Sequence, residues 1–177
     1  MAEVRTAHTA ELDATVLKAA QELLYEVFEG DLTDHDWEHC LGGVHALVWE
    51  GDQPVGHAAV VQRRLLHAGR APRTGYIEGV GVRADRRRRG YGAAMMGALE
   101  RVVRGAYEMG ALASSDEALP FYAGRGWQLW QGPSFALTPE GVRRTEDDDG
   151  CIFVLPVSAV LDVTGELICD WRDGDVW

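Results

Sequence analysis

The stretch Val80-Gly81-Val82-Arg83-Ala84-Asp85-Arg86-Arg87-Arg88-Arg89-Gly90-Tyr91-Gly92 decides how the rest of this 177-residue chain is read. It joins a predicted strand, Arg73 to Val82, to a predicted helix, Gly92 to Tyr107. That helix carries Ala93, Met96, Leu99, Val102, Val103 and Ala106 on one side. Backbone N–H groups at a helix start lack intrahelical acceptors and, with the helix dipole, favour anions. Glycine at 90 and 92 lets the main chain reach an anion with no Cβ in the way, and the arginines add forked, permanent charges. The spacing matches neither the dinucleotide-binding fingerprint nor the P-loop, since Gly-Lys-Ser/Thr is absent. On the residues alone, a phosphate cradle and a solvated arginine run have equal claim.

Outward from this loop the pattern is mixed α and β. Val4, Thr6 and His8 alternate as a short strand, and Leu12 to Phe28 repeats its apolar residues at helical spacing until Gly30 stops it. Asp31 to Cys40 is a polar segment in which Thr33-Asp34-His35-Asp36 has capping-box spacing. Gly43 to Trp49 and Val55 to Leu66 are strands about a turn at Gly51-Asp52-Gln53-Pro54, and Gly79 and Gly81 sit unusually within the strand ending at Val82. After the central helix come a strand at Ala111 to Ser114, a short helix at Glu117 to Ala123 and a strand at Trp127 to Trp130. Thr138 to Gly150 is read as loop, Cys151 to Leu155 as a buried strand, and Leu161 to Trp177 is left unassigned. No repeat or linker divides the chain, so one domain over 1–177 is expected.

Composition narrows the classes. Apolar residues at 46% and charged residues at 25% fit a globular protein, and no apolar run is long enough to span a bilayer. Three widely spaced cysteines, Cys40, Cys151 and Cys169, with no Cys-x-x-Cys pair, suit a reducing cytoplasm and suggest neither a disulfide framework nor a structural metal. Charge is segregated: residues 1–60 carry a net of −10, residues 61–104 a net of +8, and residues 105–177 a net of −9. A basic island in an acidic chain suits one polyanionic ligand and one cationic ligand, and disfavours nucleic acid.

Arg87-Arg88-Arg89-Gly90-Tyr91-Gly92 resembles the Arg/Gln-x-x-Gly-x-Gly/Ala loop of the Gcn5-related N-acetyltransferases, and Phe121-Tyr122-x-x-x-Gly126-Trp127 resembles that family's later Phe/Tyr-Tyr-x-x-x-Gly-Phe segment. The resemblance implies an α+β fold: a mixed, mostly antiparallel central sheet flanked by helices, with a parallel strand pair that splays apart. It also implies acetyl-coenzyme A as co-substrate and no metal. Its diphosphate would lie on Arg87, Arg88, Arg89, Gly90, Tyr91 and Gly92, and its pantetheine arm along Val80, Gly81 and Val82. Further segments, among them Asp36-Trp37-Glu38-His39, Gly42-Gly43-Val44-His45-Ala46-Leu47, Gly75-Tyr76-Ile77-Glu78-Gly79-Val80 and Cys169-Asp170-Trp171-Arg172, are similar to the aminoglycoside 2′-N-acetyltransferases within that family.

That narrower resemblance implies a homodimeric enzyme whose partner is a small cationic aminoglycoside, held by Asp31, Asp36, Glu78, Gly79, Ser114, Asp148, Asp175 and Trp177 with its terminal carboxylate. Glu78 would be the general base, the Val80 N–H would polarise the thioester carbonyl, and Tyr122 would be the acid for the leaving thiolate. Other small amines, such as a cell-wall amino sugar or a thiol precursor, and a non-catalytic acyl-coenzyme A-binding module are the alternatives. Read in isolation, Glu78 is a charge on a strand, Tyr122 a packed core ring and Asp147-Asp148-Asp149 a solvated turn.

Overall fold

The structure, a computed structural model, describes residues 3–177. They group into two compact units, Met1–Val61 with Ile77–Val102, and Gln62–Tyr76 with Val103–Trp177.

The first unit is built on an antiparallel meander. β1 (Glu3–His8) pairs with β2 (Val44–Glu50) from Glu3↔Trp49 to His8↔Val44, and β2 pairs with β3 (Gln53–Leu66) from Val44↔Val60 to Glu50↔Gln53. A register shift between Val48 and Trp49 accommodates the tight turn. Helix α1 (Ala14–Val27) begins where the Asp13 carboxylate accepts the Val16 N–H at 2.9 Å. It buries Ala20, Leu23 and Leu24, the inward positions of its 3.6-residue pattern. The segment read as merely polar contains a helix, α2 (Asp34–His39): Thr33 and Asp36 form the expected capping box, with Asp in place of Glu, and Trp37 turns inward. Leu24, Trp37, Cys40, Leu47 and Ala59 pack together as this unit's core. Truncating Leu24 there would cost about 2–5 kcal/mol.

The second unit collects the later strands. β4 (Arg73–Val82) pairs in parallel with β5 (Met109–Ala113) from Thr74↔Met109 to Tyr76↔Ala111. Helix α3 (Tyr91–Ala106) precedes β5, and α4 (Leu119–Ala123) follows it. Glycine is required at 110, where a Cβ would come within 2.8 Å of the Trp127 ring. β6 (Gln128–Leu129) lies between the buried Trp127 and Trp130.

One expectation is corrected here, and one unassigned segment gains an element. Thr138 to Gly150 is not all loop, because β7 (Ser134–Thr138) and β8 (Gly141–Arg144) form a hairpin that turns over Pro139 and Glu140. The unassigned tail contains β10 (Leu167–Cys169), antiparallel to the end of β3 and parallel to β7. β8 is wholly exposed and β10 has only three residues, too little for an alternation to register. β9 (Ile152–Pro156) is the buried strand anticipated, antiparallel to β5. No helix among the described residues is long and apolar enough to cross a membrane.

Candidate active site

In the first unit, the candidate residues of β4 lie at a kink. Gly79 takes φ +55° in the middle of the strand, a conformation disfavoured for any residue with a Cβ. A Cβ there would also stand 2.6 Å from Cys40 Sγ and 3.1 Å from Leu24. Ile77 and Gly81 are buried, whereas Glu78, Gly79 and Val80 are only partly covered, so the kink brings these three out of the core. Behind it, His57 Nδ1 lies 2.8 Å from the Gly79 carbonyl and His57 Nε2 lies 2.9 Å from His45 Nδ1. His45 Nε2 in turn meets Thr9 Oγ1 at 2.7 Å. Burial pushes His57 down to about 3 and His45 down to about 4, so both rings are neutral at pH 7.

The arginine loop departs from regular backbone twice, with Arg88 at φ +62° and Gly90 at φ +80°. Nothing lies within 4 Å of a Cβ built on Gly90, so its backbone faces open space at the start of α3. Glu50 organises the loop's side chains. It accepts from Arg86 Nε at 2.7 Å and from the Tyr91 hydroxyl at 2.6 Å, and Arg89 approaches to 3.6 Å. These partners, the Tyr91 hydroxyl first and Arg86 next, hold the Glu50 carboxyl below its ordinary pKa. Arg87 Nε donates to the Val82 carbonyl at 3.4 Å. Tyr91 and Arg89 therefore point toward Glu50, and what Tyr91 offers an anion is its backbone N–H. The open glycine and the helix start fit a diphosphate by geometry as well as by charge.

Of the acidic candidates in this unit, Asp31 is exposed, with its N–H on the Phe28 carbonyl. Asp36 has one carboxylate oxygen committed to the cap of α2, 2.7 Å from the Thr33 nitrogen and 2.8 Å from the Thr33 hydroxyl.

In the second unit, the tail folds back and is held at several points. Arg63, only 4% exposed in its side chain, donates to Asp170 Oδ1 at 2.7 Å, to the Asp170 carbonyl at 2.9 Å and to the Val176 carbonyl at 2.8 Å. Its guanidinium lies 4.6 Å from the centre of the Tyr76 ring, and that of Arg172 lies 5.4 Å from it. Arg172 donates to the Trp177 carbonyl oxygen at 2.9 Å, and the Trp177 indole N–H donates to Thr145 Oγ1 at 2.8 Å. Trp177 is thus buried, while Trp171 is 47% exposed.

The fold brings Asp148 and Asp175 into electrostatic contact. Burial first, then Asp175, Asp147 and Asp149, push the Asp148 carboxyl up to about 6. Asp149 behaves oppositely: its ion pair with Arg144 and its bonds from Ser134 hold it down at about 2. Ser114 closes β5, its N–H on the Cys151 carbonyl and its hydroxyl on the Ser115 carbonyl. Tyr122 is 6% exposed against Phe153 and Trp127, and burial raises its hydroxyl to about 12.

Residues 9–127 match the family described as Acetyltransferase (GNAT) family. The chain belongs to the GNAT acetyltransferases. It is 51% identical over 177 residues to a protein of Mycolicibacterium fortuitum named aminoglycoside 2′-N-acetyltransferase, covering 98% of this chain and 91% of that one. Solved structures share the fold. Escherichia coli ElaA superposes with a TM-score of 0.61 at 20% identity, over 88% of this chain and 98% of that one. Eis1 of Mycobacterium abscessus gives 0.62 at 16% identity over 76% of this chain, which spans only 33% of that larger protein. The mixed α/β architecture is thus the GNAT one.

Several residues of this GNAT chain escaped the sequence reading. His45 lies within a quoted motif without a role, and His57 had no mention. The signal was present: both are polar residues within the Val- and Ala-rich strands β2 and β3, and both are fully buried. Glu50, Arg63 and Thr145 left no such trace, because each acts on a partner 32 to 113 positions away.

Proposed function

We propose that this enzyme moves the acetyl group of acetyl-coenzyme A to the 2′-amine of an aminoglycoside by direct attack, giving resistance. The observation that carries the substrate class is the half-buried carboxyl of Asp148, which burial first and then Asp175, Asp147 and Asp149 raise to about 6, at a tail pinned by Arg63 and Arg172. Crowded carboxylates gain most from an arriving ammonium group, and a polycationic amino sugar supplies several. The activity named for the Mycolicibacterium fortuitum relative is the one this chemistry favours.

Acetyl-coenzyme A supplies the thioester. Its diphosphate is assigned to the backbone of Gly90, Tyr91 and Gly92 with Arg87, Arg88 and Arg89, and its arm to Val80, Gly81 and Val82. Glu78, partly exposed at the kink, accepts the proton that the substrate ammonium must lose before it attacks. The Val80 N–H polarises the thioester carbonyl. Tyr122 donates to the sulfur as charge develops. With its hydroxyl near 12 and a thiol near 8.5, complete transfer is uphill by roughly 5 kcal/mol, so a hydrogen bond is its contribution and water takes over the proton. Asp31, Asp36, Ser114, Asp148, Asp175 and Trp177 hold the sugar. The Gly79 carbonyl, which keeps a second lone pair beside His57, also accepts from it. Cys151 and Cys169 are pushed up by burial, the latter to about 11, which makes them poor nucleophiles and favours direct transfer. The same reading takes the enzyme to be a cytoplasmic homodimer, which sedimentation can test.

Thiol release should be measured with paired aminoglycosides that differ only in a 2′-amine or a 2′-hydroxyl, with amino sugars and small amines as comparators. Turnover confined to the 2′-amines supports the reading. Equal turnover of cell-wall amino sugars, or none with any amine, refutes it.

A further inference from the structure

The Gly79 kink is tied to the surface by one hydrogen-bonded chain that, with both rings neutral, fixes which nitrogen of each histidine carries its proton. A carbonyl can only accept, so His57 must carry its proton on Nδ1, 2.8 Å from the Gly79 oxygen. A neutral ring then has a bare Nε2, which must accept from His45 Nδ1–H at 2.9 Å. His45 Nε2, bare in turn, accepts from the Thr9 hydroxyl at 2.7 Å. Thr9 Oγ1 accepts from the Gly42 N–H at 2.9 Å. A backbone donor starts the chain, a backbone acceptor ends it, and all four bonds point toward Gly79. A second proton on His57 would set its Nε2–H against the His45 Nδ1–H and force His45 into its other tautomer.

Both rings are completely buried, 5.2 Å apart, with Trp37 at 5.9 Å from His57 and 6.3 Å from His45. Burying two imidazoles is costly unless their polar atoms are all matched, and here the four ring nitrogens each have a partner. What the chain fixes is a carbonyl in a left-handed residue between Glu78 and Val80. Such a residue persists only when its surroundings determine it.

We infer that His57, oriented by His45, is a positioning residue for acetyl transfer: its Nδ1–H holds the Gly79 carbonyl and thereby aims the Glu78 carboxylate. This rests on Glu78 being the general base. A pair of histidines that merely fills the core would give the same burial without any dependence on which nitrogen donates.

The two amide replacements of His57 separate these cases. The asparagine nitrogen is attached to Cγ, as Nδ1 is, and can donate to Gly79. The glutamine nitrogen sits one bond further out, near the place of Nε2, and meets His45 instead. His57→Gln should lower kcat at least tenfold and His57→Asn less than threefold, with KM for acetyl-coenzyme A within twofold of the parent in both. Equal kcat in the two variants overturns the proposal. In a Glu78→Gln background, His57→Gln should cost no more than a further twofold, and full additivity of the two losses also overturns it. If Glu78→Gln alone turns over like the parent, the base assignment fails. If Glu78→Gln is slow while His57→Gln is parent-like, only the positioning role fails. Nitrogen-15 spectra of the unsubstituted protein at pH 7 give a readout that needs no variant to fold. Both His45 and His57 should be neutral and protonated on Nδ1; protonation of His57 on Nε2 overturns the proposal.

Discussion

Replacing Arg63 by Met keeps the aliphatic stem and removes the clamp on the tail. The guanidinium makes three bonds, to the Asp170 carboxylate and to the carbonyls of Asp170 and Val176. Hydrogen bonds to charged groups contribute about 1.5–3 kcal/mol each. The Asp170 side chain is 42% exposed and can rehydrate, so the lower end applies and the three give roughly 4.5 kcal/mol. The contact with the Tyr76 ring adds about 1 kcal/mol. Against this, Arg63 Nη1 is buried without a hydrogen-bond partner, and its removal returns about 1–3 kcal/mol. The net loss is therefore about 3 kcal/mol, or a fall in Tm of about 6–12 °C for a chain of this size. Scanning calorimetry measures the total, and hydrogen exchange over 170–177 shows whether the tail opens first. KM for the aminoglycoside should rise at least several-fold while that for acetyl-coenzyme A stays put. An unchanged Tm with parent-like protection of Trp177 would refute the idea that Arg63 holds the tail.

Gly79→Ala should destabilise the protein by about 1–3 kcal/mol through the positive φ alone, with the close approach to Cys40 Sγ added; in denaturant titrations Cys40→Ala should restore only the second part. Asp148, raised to about 6, is increasingly protonated below that pH, so the parent's KM for aminoglycoside should climb as pH falls through 6, while Asp148→Asn shows a high and flat KM. The sign for stability follows from the same shift. A raised carboxyl favours the fold fully below its unfolded value and loses that contribution as pH rises through 6, so Asp148→Asn should gain in Tm over the parent at pH 8 and not at pH 3. Gly90→Val, at φ +80°, should weaken coenzyme A binding at least tenfold in calorimetric titration and leave aminoglycoside binding nearly unchanged.

The long strands and helices of the first 130 residues were legible because their apolar residues repeat over many positions, whereas the six-residue α2 showed only its cap. Helix α1 and strand β3 each present 14 residues to such a reading, against four in β8 and three in β10. The arginine loop was legible as a glycine-bearing helix start, but not its internal order: Glu50 lies 36 residues before Arg86, beyond any local pattern. Gly79 looked anomalous within a strand, and the anomaly marked the kink. Asp36 illustrates the converse. The same Thr-x-x-Asp spacing that announced a cap also explains why one of its carboxylate oxygens is committed to the backbone. In the tail, Asp175 and Trp177 were legible only through the family resemblance, and its structure was not, because its order comes from Arg63 and Thr145, more than 30 positions earlier.

The strut formed by Glu50 has a consequence for how fast a polyanionic ligand is captured. Residues 83–89 contain five arginines, yet Glu26, Glu50 and Asp85 all stand within 4 Å of members of that set. Seen from a distance beyond the Debye length of about 8–10 Å, the segment therefore presents an excess of at most two positive charges. In an acidic chain of net charge −11, that leaves little long-range pull on coenzyme A. The association rate should accordingly vary only weakly with ionic strength. Recognition would then fall to the short-range geometry of a loop whose shape is already set before the ligand arrives, and the cost of ordering it is small.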